Sequence, residues 1–219
     1  MAYEAEFEQA AARTRSWGLM CRESNGASER YVSPATIAKV TNCAQAVLGR
    51  MQAENVAAQC FAVSSFLREP LQDVLGVPLT YTLGYVNLGR GPVFHTPAES
   101  LKAMLDAGRP ASRALELHAW LTLPSREIID LTLSTTLGIV RNLPELVGRA
   151  AFIHPNDLVG NHSYHPQVLG EDYLRRIGVM VELQGVFIAP VVSPKSDTRV
   201  QRDGLLRRGW RTLVGRRAT

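Results

Sequence analysis

Three residues in the middle of the chain have the types and the order that nucleophilic catalysis needs. Cys60 opens an apolar run with helical spacing, whereas His118 and Asp130 each lie in an apolar run typical of a strand. A cysteine supplies a thiolate nucleophile, a histidine takes its proton, and a carboxylate orients the imidazole. The pattern therefore predicts a Cys-His-Asp triad.

The spacing also predicts how such a triad is positioned. A cysteine in the first helical turn faces unpaired backbone N–H groups and the positive end of the helix dipole, which stabilise a thiolate. The N–H of Cys60 would help to bind an oxyanion, and Gln52 and Gln59 are candidates for a further side-chain donor. Asp130 follows His118 by twelve residues, so a tight hairpin would place the two on opposite or diagonal positions of neighbouring strands.

Each residue also has a structural explanation when it is considered alone. A free cysteine such as Cys60 is most often a small buried hydrophobe. His118 is flanked by apolar residues and fits a core histidine, and Asp130 fits a carboxylate that caps a turn or a strand. The catalytic hypothesis depends on the three residues together, in this order. Cys21 and Cys43 lack comparable companions, so we expect them to be structural.

The surrounding elements predict an α+β order, with helices first and an antiparallel sheet after them. A surface helix is predicted over 4–20, and further helices over 34–51, from Gln59 or Cys60 to an end or kink at Pro70, over 97–106 with a capping box at Thr96–Glu99, and over 171–177. Strands are predicted over 77–86, 115–123, 127–133 and 179–192. Residues 134–150 are ambiguous, with a helix broken at Pro144, and 152–170 are predicted to form an irregular loop.

The ordered motifs resemble the transglutaminase-like branch of the papain-fold cysteine enzymes. They are Cys60, Gly76-Val77-Pro78, Gly84-Tyr85, His118-Ala119-Trp120 and Asp130-Leu131-Thr132. The resemblance covers about residues 55–135 and implies a papain-like α+β fold in which N-terminal helices pack on an antiparallel sheet. Gln59 departs from the glycine or tryptophan that the family often has before its cysteine, and 79–82 lack the arginine that it often has in this strand.

The resemblance implies acyl transfer through a thioester at Cys60, on a peptide or protein substrate with an amide carbonyl. Hydrolysis is the first expectation, and crosslinking or deamidation of glutamine is the second. Tyr85 and Trp120 are candidates for the substrate cleft. No metal or organic cofactor is implied. The alternative from another class is a non-catalytic binding module that keeps the fold and uses the basic C-terminal residues to meet a membrane, nucleic acid or an acidic protein.

Charge is concentrated at the end of the chain. From Lys195 onward there are eight basic and two acidic residues, a formal charge of +6, although the whole chain carries only +4. We therefore predict a single domain over 1–194 and a basic tail over 195–219. The tail is either a solvated end or a contact for an anionic membrane surface or nucleic acid. The further alternative is that Trp210 and Leu213 dock on the body of the protein and complete its core.

Composition limits the remaining classes. An apolar content of 46% is ordinary for a globular protein, and three cysteines without a CxxC pair favour free thiols. The first residues lack the pattern of a cleaved signal, so a cytoplasmic protein is expected, with secretion by a signal-less route left open. His154, His162 and His165, with Asp157, match no standard zinc spacing, and we expect them to be structural or at the surface.

Overall fold

The computed structural model describes residues 2–22, 26–49, 51–112, 114–158 and 162–180. The helices within them are α1 (Ala2–Ser16), α2 (Pro34–Leu48), α3 (Ala53–Val56), α4 (Cys60–Leu75), α5 (Ala98–Ala107), α6 (Leu133–Arg141) and α7 (Asp172–Arg176). The strands are β1 (Thr80–Leu88), β2 (Pro92–Val93), β3 (His118–Thr122), β4 (Ile128–Asp130), β5 (Ala151–Ile153) and β6 (His162–Leu169). Pro144–Leu146 and Pro155–Asp157 form short 3-10 turns. The α+β prediction is confirmed.

One curled antiparallel sheet contains all six of these strands. The order is β2-β1-β3-β4-β5, and β6 pairs with the long strand β1. The first half of β1 pairs with β3, and its second half pairs with β2. β3 and β4 form the predicted hairpin, in which Leu121 lies opposite Ile129. The sheet therefore brings the two strands that carry the predicted histidine and aspartate side by side.

Both faces of the central strand β3 are buried, because helices cover the sheet on both sides. Ala119 and Leu121 lie in the same apolar cluster as Val63 and Leu67 of α4. Trp120, between them in sequence, belongs to a second cluster that contains Phe7 of α1. This alternation is what a strand with a period of two residues produces between two layers. The predicted surface helix, α1, therefore has a fully buried inner face.

Several predicted boundaries are wrong in detail. α2 ends at Leu48, before residue 51. α4 continues through Pro70 to Leu75, although Pro70 has no N–H to donate to the carbonyl of Phe66. The capping box at Thr96 does not form, because the Thr96 hydroxyl donates to the carbonyl of Glu116.

The largest error concerns residues 152–170, which contain two strands rather than a loop. The sequence of β6 contains Pro166, and proline argues against a strand because it has no N–H to donate to a β ladder. The strand was therefore not predicted. β6 pairs only with β1 among the described strands, and its register shifts between Leu83 and Gly84 of β1, where Pro166 lies opposite Gly84. An edge strand with a bulge tolerates proline at such a position.

The described residues all belong to one compact unit, Met1–Val181. The predicted domain boundary at 194, the basic tail over 195–219 and all but the start of the predicted strand 179–192 lie outside the described residues. In the part of the chain that is described, we find no helix with the length and apolar character that a membrane span requires.

Gly84 is the position at which the sheet tolerates no side chain. A Cβ there would lie 2.0 Å from the carbonyl oxygen of His165 and 2.8 Å from the Trp120 ring. We expect Gly84→Ala to lower the free energy of unfolding by about 3 kcal/mol, since backbone and indole must both shift. Urea unfolding measures the change. Gly26→Ala is the control, because the nearest atom to its Cβ is 3.7 Å away, and a loss as small as the control's would contradict the steric explanation.

Candidate active site

Cys60 is the first residue of α4 and is buried. The chain enters the helix through Ala58, which has a left-handed φ of 59°, a strained conformation for a residue with a side chain. The Ala58 N–H donates to the Thr136 hydroxyl of α6 at 3.0 Å, which ties the entry segment down. The first turn of α4 offers N–H groups that have no helical carbonyl partner, and the thiol lies at this end.

Two hydrogen bonds fix the start of α4 on the sheet. The Tyr81 hydroxyl of β1 donates to the carbonyl of Phe61 at 3.1 Å. One turn later, the Ser64 hydroxyl donates to the carbonyl of Ala119 at 3.3 Å. Ala119 follows His118 directly, so the Ser64 bond sets the position of α4 relative to the strand that carries the imidazole.

The β3–β4 hairpin brings His118 and Asp130 together. When the pairing of Leu121 with Ile129 is continued by one residue, Asp130 falls opposite Trp120 and therefore diagonal to His118. Nε2 of His118 and Oδ2 of Asp130 are 2.7 Å apart, and both side chains are buried. The diagonal geometry is one that side chains on the same face of an antiparallel pair can bridge.

The Asp130 carboxylate accepts four hydrogen bonds from different parts of the fold. Oδ1 accepts from the backbone N–H groups of Thr132 and Leu133, at 3.1 and 3.0 Å. Oδ2 accepts from His118 and, at 3.0 Å, from the Tyr164 hydroxyl. A buried charge of this kind is stable only when its oxygens are satisfied. The same carboxylate therefore orients the imidazole and holds the start of α6.

The surroundings of His118 and Asp130 favour the charged forms of both side chains. Burial by itself lowers the pKa of His118, but the charge and hydrogen bond of Asp130, together with a hydrogen bond and charge from Cys60, raise this pKa to about 10. Burial likewise raises the pKa of Asp130, and the His118 imidazolium and the backbone N–H donors lower it overall. Because Nε2 of His118 meets Asp130, the other ring nitrogen, Nδ1, is the one left for the thiol.

Tyr164 and Phe94 are site residues that sequence reasoning missed. Tyr164 lies on β6, in the stretch predicted to be a loop. Burial and the charge of Asp130 raise the pKa of Tyr164 well above its usual value, so the phenol stays a neutral donor. The ring of Phe94 stacks on His118 with centroids 5.5 Å apart, and its φ of 59° is unusual for a bulky residue. Neither role has a local sequence signal.

Trp120 does not line a cleft, which corrects the prediction made for it. Its side chain is fully buried. The indole N–H donates to the Tyr3 hydroxyl at 3.0 Å, and Tyr3 is hydrogen-bonded in turn to Thr122 at 3.1 Å. The sequence did not reveal that α1 covers this face of the sheet, so an aromatic residue beside the predicted histidine suggested a substrate contact.

The two glutamines predicted as oxyanion donors are exposed. Gln52 precedes α3 and Gln59 precedes α4, and neither side chain caps the helix that follows it. Gln59 adjoins Cys60 in sequence, so it is the one of the two that the chain necessarily holds close to the thiol. A role in oxyanion binding stays a prediction for both.

Tyr85, the other predicted cleft residue, is half-buried against histidines. Its ring stacks on His165 at 4.5 Å and meets His95 edge-on at 4.4 Å. His165 is hydrogen-bonded through one ring nitrogen to Glu6 at 2.8 Å and through the other to Ser163 at 2.7 Å. Ser163 and His165 are two residues apart on β6, where strand geometry brings side chains to the same face.

The remaining predicted surface histidines and Asp157 are engaged or exposed. His154 accepts a hydrogen bond from the N–H of Asn156 at a 3-10 turn. Asp157 pairs with Arg30 at 2.7 Å, and His162 is exposed. Among the described residues, no group of three or more His, Cys, Asp or Glu side chains is arranged to hold a metal ion.

Comparison of the chain with protein-family models, with curated proteins and with solved structures found no match in any of the three.

Replacing Asp130 by asparagine should destabilise the protein strongly. Four donors converge on two carboxylate oxygens, whereas an amide offers only one oxygen. We expect Asp130→Asn to lower the free energy of unfolding at neutral pH by about 3 kcal/mol, because it breaks a buried ion pair. Asp157→Asn is the matched control: that carboxylate is exposed and should matter far less. Equal effects of the two substitutions in urea unfolding would contradict the structural role of Asp130.

The raised pKa of His118 predicts a pH dependence of stability. The native state holds this proton up to about pH 10, whereas an unfolded histidine loses it near 6.5. The resulting stabilisation is complete below about pH 6.5, and it declines as the pH rises towards 10. We expect the difference in unfolding free energy between wild type and His118→Gln to shrink over this window. A constant difference from pH 6 to pH 10 would contradict the prediction.

Proposed function

We propose that the protein is a cysteine-dependent acyl-transfer enzyme in which Cys60 is the nucleophile, His118 the general base and acid, and Asp130 the group that orients the imidazole. The observation that carries the proposal is the buried pair of His118 and Asp130, 2.7 Å apart, together with the influence of Cys60, the first residue of α4, on the pKa of His118. A nucleophile, a base and an orienting carboxylate in this relation are the signature of a catalytic triad.

The first step forms a thioester. Cys60 reacts as a thiolate whose proton is held by His118, and the sulfur attacks the carbonyl carbon of an ester or amide. The carbonyl π electrons move to oxygen, where the backbone N–H of Cys60 at the helix start is a donor for the developing charge. When the carbonyl re-forms, the bond to the leaving group breaks, and His118 returns its proton to the leaving oxygen or nitrogen.

The second step resolves the thioester. His118 accepts a proton from water, the oxygen attacks the thioester carbon, and the carbon–sulfur bond breaks to release a carboxylic acid and the thiolate. Asp130 stabilises the imidazolium in both steps and holds Nε2, so that Nδ1 faces the thiol. A primary amine in place of water would give an amide, which is the transfer reaction of a transglutaminase.

The proposal extends to the fold family. A helix that begins with the nucleophile, followed by two antiparallel strands that carry the histidine and the aspartate in that order, is the arrangement expected for a papain-like, transglutaminase-like domain. The Gly-Tyr motif supports the same assignment, because Gly84 gives the Trp120 ring and the β6 backbone room to approach. Hydrolysis is the proposed reaction, and amine transfer is the alternative.

Trapping of the acyl-enzyme tests the proposal. The protein is mixed with an activated aryl ester, quenched in acid and analysed by intact and peptide mass spectrometry. We expect one acyl group on Cys60, and none on Cys60→Ala. His118→Gln should lower the rate of acylation about 100-fold or more. Cys43→Ala is the matched control and should acylate normally, because burial raises the pKa of the Cys43 thiol and its loss removes no part of the triad.

The products then separate the two reactions. With water alone, the free acid should accumulate over many turnovers. With added primary amine, an amide as the main product would favour transfer over hydrolysis. Acylation spread equally over all three cysteines, or unchanged in His118→Gln, would overturn the proposal.

A further inference from the structure

A cavity of about 510 Å³ is lined by Val56 and Leu131, which lie near Cys60 and Asp130 in sequence, and by none of the three proposed triad residues. It is called the α2 cavity here, because α2 forms one wall. Residues of α3, the segment after β4, the start of α6 and the segment 148–152 form the rest. Its apolar lining includes Ile37, Ala44, Met51, Val56, Leu131 and Phe152. This volume falls within the range of small-molecule binding sites.

The α2 cavity is close to the nucleophile along two paths of the chain. Val56 precedes Cys60 by four residues, so their Cα atoms are at most about 14 Å apart. Leu131 follows Asp130 directly, and it turns towards the α4 side of the sheet while Asp130 faces His118. The entry segment that positions Cys60 is bonded to Thr136, which adjoins Thr135 of the cavity wall.

The lining specifies the chemistry of the occupant. Among the described residues of the wall, Arg149 is the only one with an ionisable side chain, and it is exposed. Ile37 and Met51 keep 37% and 45% of their surface open to solvent. An apolar lining with a single cation favours an apolar chain that carries an anionic or carbonyl head group, and it disfavours a cationic one.

The volume favours a chain over a single amino-acid side chain. We take a methylene group to occupy about the same volume as a water molecule in the liquid, ~30 Å³. Because a bound chain does not fill a cavity completely, the α2 cavity accommodates roughly ten to fifteen carbon atoms. We infer that the α2 cavity binds a fatty-acyl chain.

Binding is measured on Cys60→Ser protein, so that the result does not depend on catalysis. Titration calorimetry with dodecanoate, below its micelle concentration, should give saturable 1:1 binding. Dodecyltrimethylammonium, which has the same chain and a positive head, should bind more weakly. Arg149→Gln should weaken dodecanoate binding about two- to fivefold and leave the binding of neutral dodecanol unchanged. Arg141→Gln, an exposed arginine outside the cavity, is the control.

Filling the cavity gives the second arm of the test. Ala44→Trp places an indole into the α2 cavity and should reduce dodecanoate binding at least tenfold. Ala46→Trp, on an exposed position of the same helix outside the lining, should bind as Cys60→Ser does. Ala53→Phe fills the cavity from α3 and replaces Ala44→Trp if that variant fails to melt cooperatively.

The outcomes separate this inference from the proposed function. No saturable binding by Cys60→Ser, or undiminished binding by a filled variant that melts cooperatively, overturns the α2 cavity as an acyl site even if Cys60 forms a thioester. Binding that the filled variants abolish supports the cavity even if Cys60 proves unreactive, and in that case only the proposed catalysis fails.

Discussion

The Asp130 carboxylate is the group on which the site depends. It is completely buried, and an isolated carboxylate in such a place would be too costly to keep charged. It is stable because four donors reach it from β3, β6 and the start of α6. The hydrogen bonds to this one charge therefore fix the positions of β3, β6 and the start of α6 relative to one another. The same bonds fix the orientation of the His118 imidazole.

The thiol is positioned by a separate set of contacts. Tyr81 and Ser64 bond the first turns of α4 to the sheet, and Thr136 holds the strained entry at Ala58. Thr136 belongs to α6, and Asp130 holds the start of α6 by accepting two of its backbone N–H groups. The segment that leads into α4 is therefore also stabilised, through α6, by the Asp130 carboxylate. Cys60, His118 and Asp130 are thus held by one connected set of contacts rather than by three independent ones.

Close packing on the face of the sheet that α1 covers keeps solvent away from these contacts. The Trp120 indole lies against the glycine of β1, and its N–H is satisfied by Tyr3 of α1. Trp120 also meets the Tyr164 ring edge-on at 5.2 Å, next to the hydroxyl that bonds Asp130. α1, which is far from the site in sequence, thereby covers the side of the sheet on which His118 and Asp130 pair. Exclusion of water lowers the local dielectric constant, which strengthens the attraction between the two charges.

Local patterns were enough to predict the α+β class, the helix that begins at Cys60, the β3–β4 hairpin and the pairing of His118 with Asp130, because helix starts, strand periodicity and hairpin spacing are short-range properties. They did not predict β6, which a proline disguised, or the side chains that β6 and the β2–α5 connection bring to the site, Tyr164 and Phe94. They also placed Trp120 in a cleft, although α1 covers it. The tertiary structure alone decided these features. Contacts between residues far apart in sequence determine which face of a strand is covered and which side chain satisfies a buried charge, and no local pattern connects such residues.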